Sequence, residues 1–198
     1  MGFDVNTPVY HGTTANIKNI DPNKFGKSTE TSSGNTGFWT TDKPYTASSF
    51  ANYAAYHSPA NRLNLDAQQI RSNLPNRRQN IMPLYLNKSN MSTMDAKGQS
   101  WSDVMDNPEL DEKVRNFLET ASEKGRVGEI KNFDDVAAYM SPEVATHYVA
   151  TSPSDVRSVN AAFDQFRRNE PDILAGVAAA PAGMLAVDKQ QNKEKSKK

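Results

Sequence analysis

The sequence predicts an α+β domain. Short strand-like runs outnumber helical ones, and they do not alternate with helices in the order that would build a parallel sheet. One helix is clearly delimited, by an N-cap at Asn107 and a glycine stop at Gly125. A length of 198 residues suits one domain with a tail better than two, and no internal repeat is present.

In chain order, Pro8, Val9, Tyr10 and His11 read as a short strand ending at Gly12, Thr13 and Thr14. Residues 14–36 are rich in Asn, Lys, Ser, Thr and Gly and read as a long polar loop, of the kind that is usually functional or mobile in compact domains. Gly37, Phe38, Trp39 and Thr40 form a second short strand. Thr41 and Asp42 are N-cap candidates for a helix running to about His57, with Phe50, Tyr53, Ala54 and His57 on one face. Residues 59–80 are polar and basic and read as a short helix plus loop. Residues 81–87 are the best strand in the chain, and Pro83 within them points to an edge or a bulge. Pro108 fits the first helical position after Asn107, and Leu110, Val114, Phe117, Leu118 and Ala121 make the apolar stripe of that helix. Residues 126–131 and 147–151 read as strands around a loop at 132–146, and residues 152–155 read as a turn. Residues 159–171 are weakly amphipathic, and the Lys-rich end reads as a solvated tail.

Composition narrows the function. Lys+Arg and Asp+Glu both number 23, so the net charge is zero and a role coating nucleic acid is disfavoured. The absence of Cys excludes disulfides, thiolate zinc sites and Cys nucleophiles. The three His are too widely spaced to suggest a metal site. No charged-then-apolar leader opens the sequence, and no apolar run reaches the roughly 18–20 residues that a membrane span needs. The expectation is a monomer without a membrane partner, working in the cytoplasm of the producing or a target cell.

Three local features carry chemistry. Tyr10-His11-Gly12-Thr13 places an imidazole at a strand end beside a residue whose main chain a ligand can approach closely. Trp39 lies on the second strand, and Phe50 on the helix after it. An imidazole, a glycine main chain and two aromatic rings converging from adjacent elements would sandwich a planar heteroaromatic ring. Taken singly, His11 reads as a surface or capping histidine at a strand end, Trp39 and Phe50 as core residues, and His57 as structural or exposed.

The order and wording of these pieces resemble the ADP-ribosyltransferase fold, in the branch of diphtheria toxin and the poly-ADP-ribose polymerases. The residues concerned are YHGTT and GFWTTDKPYTASSF, in which Gly37, Phe38, Thr41, Asp42, Tyr45 and Ala47 are in register with the toxin's pattern. The later blocks IMPLYLNKSNMSTMDAKG, GRVGEIKNFDD and HYVATSPSDVRSVNAAFDQFRRNEPDILAG are similar to the phage-associated polyvalent members. The resemblance touches most of residues 7–176. It implies a split β-sheet core with a few flanking helices over residues 1–176, followed by an Ala-rich segment and basic tail at 177–198.

The resemblance implies NAD as co-substrate. His11 would hydrogen-bond the adenosine ribose, and the Gly12 main chain would hold the nicotinamide carboxamide. Trp39 and Phe50 stand where the family has its two stacking tyrosines. Thr13, Tyr45 and Ser49 are carried over as further NAD-binding residues. His147 stands where active members have a Glu that grips the nicotinamide ribose and stabilises developing positive charge. Glu143, four residues upstream, is the candidate to supply the missing carboxylate, with Glu129 on the neighbouring strand a weaker one. The implied activity is transfer of ADP-ribose to a macromolecule, protein rather than nucleic acid, with NAD glycohydrolase as a side activity. A phage-injected or secreted effector is the implied setting. The alternative is a catalytically weak or inactive binding module on the same fold.

Overall fold

The computed structural model describes residues 2–27, 33–57, 80–134, 144–161 and 170–174. Within them lie the strands β1 (Val9–Thr13), β2 (Phe38–Thr41), β3 (Asn80–Leu86), β4 (Met91–Asp95), β5 (Val127–Asp134), β6 (Val144–Ala150) and β7 (Val156–Ser158). The helices are α1 (Pro44–His57), α2 (Trp101–Asp106) and α3 (Pro108–Glu123). The strands form one seven-stranded sheet in the order β4-β5-β6-β2-β1-β3-β7. β4 and β5 run parallel, and all other neighbours are antiparallel. This is an α+β architecture, as the sequence predicts.

The sheet is nearly divided at its centre. β1 pairs with β3 from Val9 to Thr13, and β2 pairs with β6 from Phe38 to Thr41. Between β1 and β2 a single register pair remains, Tyr10 opposite Thr41. Beyond it the two strands part.

Strand alternation sorts the side chains onto two faces. On one face α3 lays Leu110, Val114 and Leu118 over Ile130, Phe133 and Val149. On the same face α1 crosses β1 with Ala47 and Ala51, both fully buried, turned inward. A Cβ on Gly12 would run into the Ala47 carbonyl oxygen and crowd the Ala51 nitrogen. Gly12 and the two alanines therefore let helix and strand touch backbone to backbone. On the other face, Val9, Phe38, Leu84, Leu86 and Tyr148 are covered by Ile20 and Ile173. The covering segments brace each other: the Ile20 N–H donates to the Pro171 carbonyl and the Ile173 N–H to the Lys18 carbonyl, both at 3.0 Å.

The α3 boundaries follow the sequence closely. The Asn107 side chain accepts from the N–H groups of Glu109 and Leu110. At the other end Gly125, at φ 57°, closes a Schellman turn. Its N–H donates to Ser122 and that of Arg126 to Ala121.

Elsewhere the structure departs from expectation. α1 starts at Pro44, so neither Thr41 nor Asp42 caps it. β1 runs through Gly12 to Thr13, because β3 continues to pair with it there. Pro83 lies on an interior strand, not at an edge or bulge. Its carbonyl accepts from Val159, so its missing N–H points to the β7 side, just past the end of that three-residue strand. β5 and β6 both extend further into residues 132–146 than the expected loop allows. β4, α2 and β7 were not anticipated. The helix expected within 59–80, most of the segment 159–171 and the tail fall largely outside the described residues.

Gly12→Ala should lower stability by about 1–3 kcal/mol or more, since overpacking falls on backbone that cannot rotate away. Urea denaturation reads this as a lower midpoint. An unchanged midpoint would show that α1 does not need the close approach.

Candidate active site

The parting of β1 from β2 builds the site. The Asp42 N–H donates to the Thr146 carbonyl on β6 at 3.0 Å. Main-chain groups along a strand point alternately to either side, so Thr40 also faces β6, whereas Trp39 and Thr41 face β1. Tyr10, opposite Thr41, faces β2 in return. Gly12, two residues on, turns its N–H and C=O into the opening where β2 no longer pairs with it.

The Trp39 carbonyl, on the other wall, is met by the His11 side chain, with Nδ1 2.7 Å from the oxygen. A carbonyl can only accept, so Nδ1 carries the proton and Nε2 is left as an acceptor. The His11 ring also stacks on Phe38, centroids 4.2 Å apart and planes at 28°. Phe38 belongs to the core of the face away from the helices. His11 thus bridges the opening through its imidazole, on the opposite face of β1 from α1.

The aromatic residues meet on the helix face around a different imidazole. His147 lies opposite Thr41 on β2 and Ile130 on β5. Its ring makes T-shaped contacts with Phe133, Phe50 and Trp39, centroids 5.3, 5.7 and 6.4 Å away. It is 1% exposed. Neither ring nitrogen has a hydrogen-bond partner. Loss of water pushes its pKa down from 6.5 to about 4, so it is neutral at pH 7. His11 is also pushed down, to about 4, by burial, against a smaller upward pull from its bond to Trp39. His11 keeps part of its surface in solvent, whereas His147 is sealed from it.

A neutral imidazole offers one donor and one acceptor. Left unmatched in an apolar cage, each costs about 1–3 kcal/mol. Buried polar groups are nearly always paired, so an unpaired imidazole calls for a partner, whether water or a ligand's polar group.

The structure thus brings together Trp39, Phe50 and His147, and adds Phe133, which sequence reasoning missed. Phe133 follows an irregularity in the β5–β6 pairing between Ile130 and Phe133, and no sequence pattern marks it. His11 does not join the two aromatic rings and is tied to Trp39 through the main chain. Gly12 lies at the opening. Thr13 is buried, and its hydroxyl accepts from the Ala15 N–H in a local turn. Ser49 is buried on α1 and donates to the Tyr45 carbonyl. Tyr45 itself is 47% exposed. Glu143 lies outside the described residues. Glu129 is on the face away from the cage, beside Tyr148, and its carboxylate accepts from the Thr93 hydroxyl at 2.8 Å and pairs with Lys131 at 3.4 Å. It cannot stand in for a carboxylate at position 147. Among the described residues no His, Asp and Glu side chains gather into a group that could hold a metal ion, and no helix is long and apolar enough to cross a membrane.

The family model of ADP-ribosyltransferases in polyvalent proteins matches residues 6–166. No curated protein and no solved structure matches the chain.

His147 makes stability depend on pH. Its folded pKa lies below the unfolded value, so the unfolded chain binds the extra proton between about 6.5 and about 4, and stability falls as pH drops through that window. The loss is about 3 kcal/mol for a shift of this size. His147→Leu should flatten the fall and be more stable than the parent at pH 5, as thermal melts across pH will show. An equally steep profile would mean that His147 is hydrated or partnered.

Proposed function

This chain belongs to the family of ADP-ribosyltransferases in polyvalent proteins, and we propose that it transfers ADP-ribose from NAD to a macromolecular acceptor. In that reaction the glycosidic bond between ribose carbon and nicotinamide nitrogen breaks, and nicotinamide leaves with the bonding pair. The acceptor's nucleophile bonds to the ribose carbon and gives up its proton to solvent. With water as nucleophile the same site is an NAD glycohydrolase.

One observation carries the reading: the opening between β1 and β2 adjoins a cage of three aromatic rings around an imidazole with no partner. Trp39 and Phe50 would flank the nicotinamide ring by their π-faces. The Gly12 N–H and C=O would pair with the carboxamide, which needs one donor and one acceptor. His147 would meet the hydroxyls of the adjoining ribose as a neutral group. His11, through Nε2, would meet the adenosine ribose from the other side of the opening. Thr13, Tyr45 and Ser49 complete the NAD-binding set, and Glu143 is the nearest carboxylate in sequence for the ribose. Zero net charge favours a protein over a nucleic acid as acceptor. We place the protein as a monomer in the cytoplasm of the producing or a target cell, as a phage-associated effector.

A second reading has its own support. His147 supplies no negative charge to balance the positive charge that builds up as nicotinamide departs. A non-catalytic NAD-binding module would have this cage and need no carboxylate in it.

Incubation with NAD, followed by chromatography for nicotinamide and mass spectrometry for added ADP-ribose, separates the two. Transfer predicts nicotinamide release that drops about tenfold or more in Trp39→Ala, the size expected when a ring contact is lost. An NAD-induced rise in melting temperature without nicotinamide release would select the binding module. Neither release nor a thermal shift would sink both. His147→Glu should raise turnover if the cage admits the ribose.

A further inference from the structure

We propose that Asp42 is the positioning residue of the aromatic cage, its carboxylate locking the end of β2 to the start of β6. Asp42 and Thr146 exchange two hydrogen bonds. The Asp42 N–H donates to the Thr146 carbonyl at 3.0 Å, and the Thr146 N–H donates to Asp42 Oδ1 at 2.8 Å. The second bond takes the place of a ladder bond: a side-chain oxygen accepts where the main chain of β2 is already turning away into α1. The turn itself is fixed one residue on. The Lys43 N–H donates to the Thr41 hydroxyl at 3.3 Å, and the Lys43 carbonyl accepts the first helical bond of α1, from Ala47.

Three parts of the cage hang on this point. Trp39 lies three residues before Asp42 on β2. His147 follows Thr146 directly on β6. Phe50 rides on the helix that begins two residues after Asp42. On its other side β2 is held to β1 by one register pair only, so β6 is its main anchor. The sequence marks Asp42 as a helix cap; the structure gives its carboxylate to the neighbouring strand instead.

That the cage receives the nicotinamide end of NAD rests on the function proposed above; that Asp42 sets the cage does not. The test uses Asp42→Asn, which keeps the accepting oxygen, and Asp42→Leu, which has a similar shape without it. NMR of the His147 ring protons reads the cage without any ligand, because three surrounding rings displace their signals. These signals should stay in place in Asp42→Asn and move towards ordinary values in Asp42→Leu. In the parent protein the Thr146 amide should exchange slowly with solvent, a reading independent of whether the Leu variant folds. If the parent binds NAD, its Kd should rise about tenfold or more in Asp42→Leu and stay within about twofold in Asp42→Asn. Unmoved His147 signals and unchanged affinity in the Leu variant, or a rapidly exchanging Thr146 amide, would overturn the proposal. A parent that binds no NAD would count against the function, and the ring signals would still decide the role of Asp42.

Discussion

The architecture depends on a pairing that stops early. β1 and β2 lie side by side at the centre of a seven-stranded sheet and share one register pair. A sheet interior with unmet main-chain groups is costly, because each buried N–H or C=O seeks a partner. The chain meets one of these needs with the His11 ring on the Trp39 carbonyl and leaves the Gly12 main chain facing the gap. The close seating of α1 on Gly12 keeps β1 in place despite its weak link to β2.

The second cost is His147. A histidine at 1% exposure, with neither nitrogen bonded and three aromatic rings around it, weakens the fold by comparison with an apolar residue of similar size. Phe133 and Phe50 would pack as well around Leu. Stability is given up in the same place where the sheet opens, which is where binding would return it. The imidazole stays uncharged at neutral pH, so it can offer a ligand hydrogen bonds but no net charge.

The fold class, the boundaries of α3 and the approximate places of β1, β2, β3, β5 and β6 were legible in the sequence, because caps, glycine stops and apolar periodicity are local signals. α2 also has a local signal: Ser100 and Asp103 form a capping box, whose spacing is visible in the chain. β7 is three residues long, too short for any pattern. At the site, Trp39 and Phe50 stood out as large rings on adjacent elements and His147 through the resemblance, and no local pattern announces that the three rings meet. The face that His11 occupies was not legible, since that depends on the register of β1 against β3. Nor was the role of Asp42, whose partner lies 104 residues away. Phe133 is set by a bulge, which the sequence does not announce.

A crystal structure of the protein soaked with NAD addresses the central claim most directly. The account predicts the pyridine ring between Trp39 and Phe50, its carboxamide on the Gly12 main chain, and a ribose hydroxyl on His147. Dinucleotide bound elsewhere, with the His147 nitrogens still unmatched and the gap between β1 and β2 unused, would contradict it.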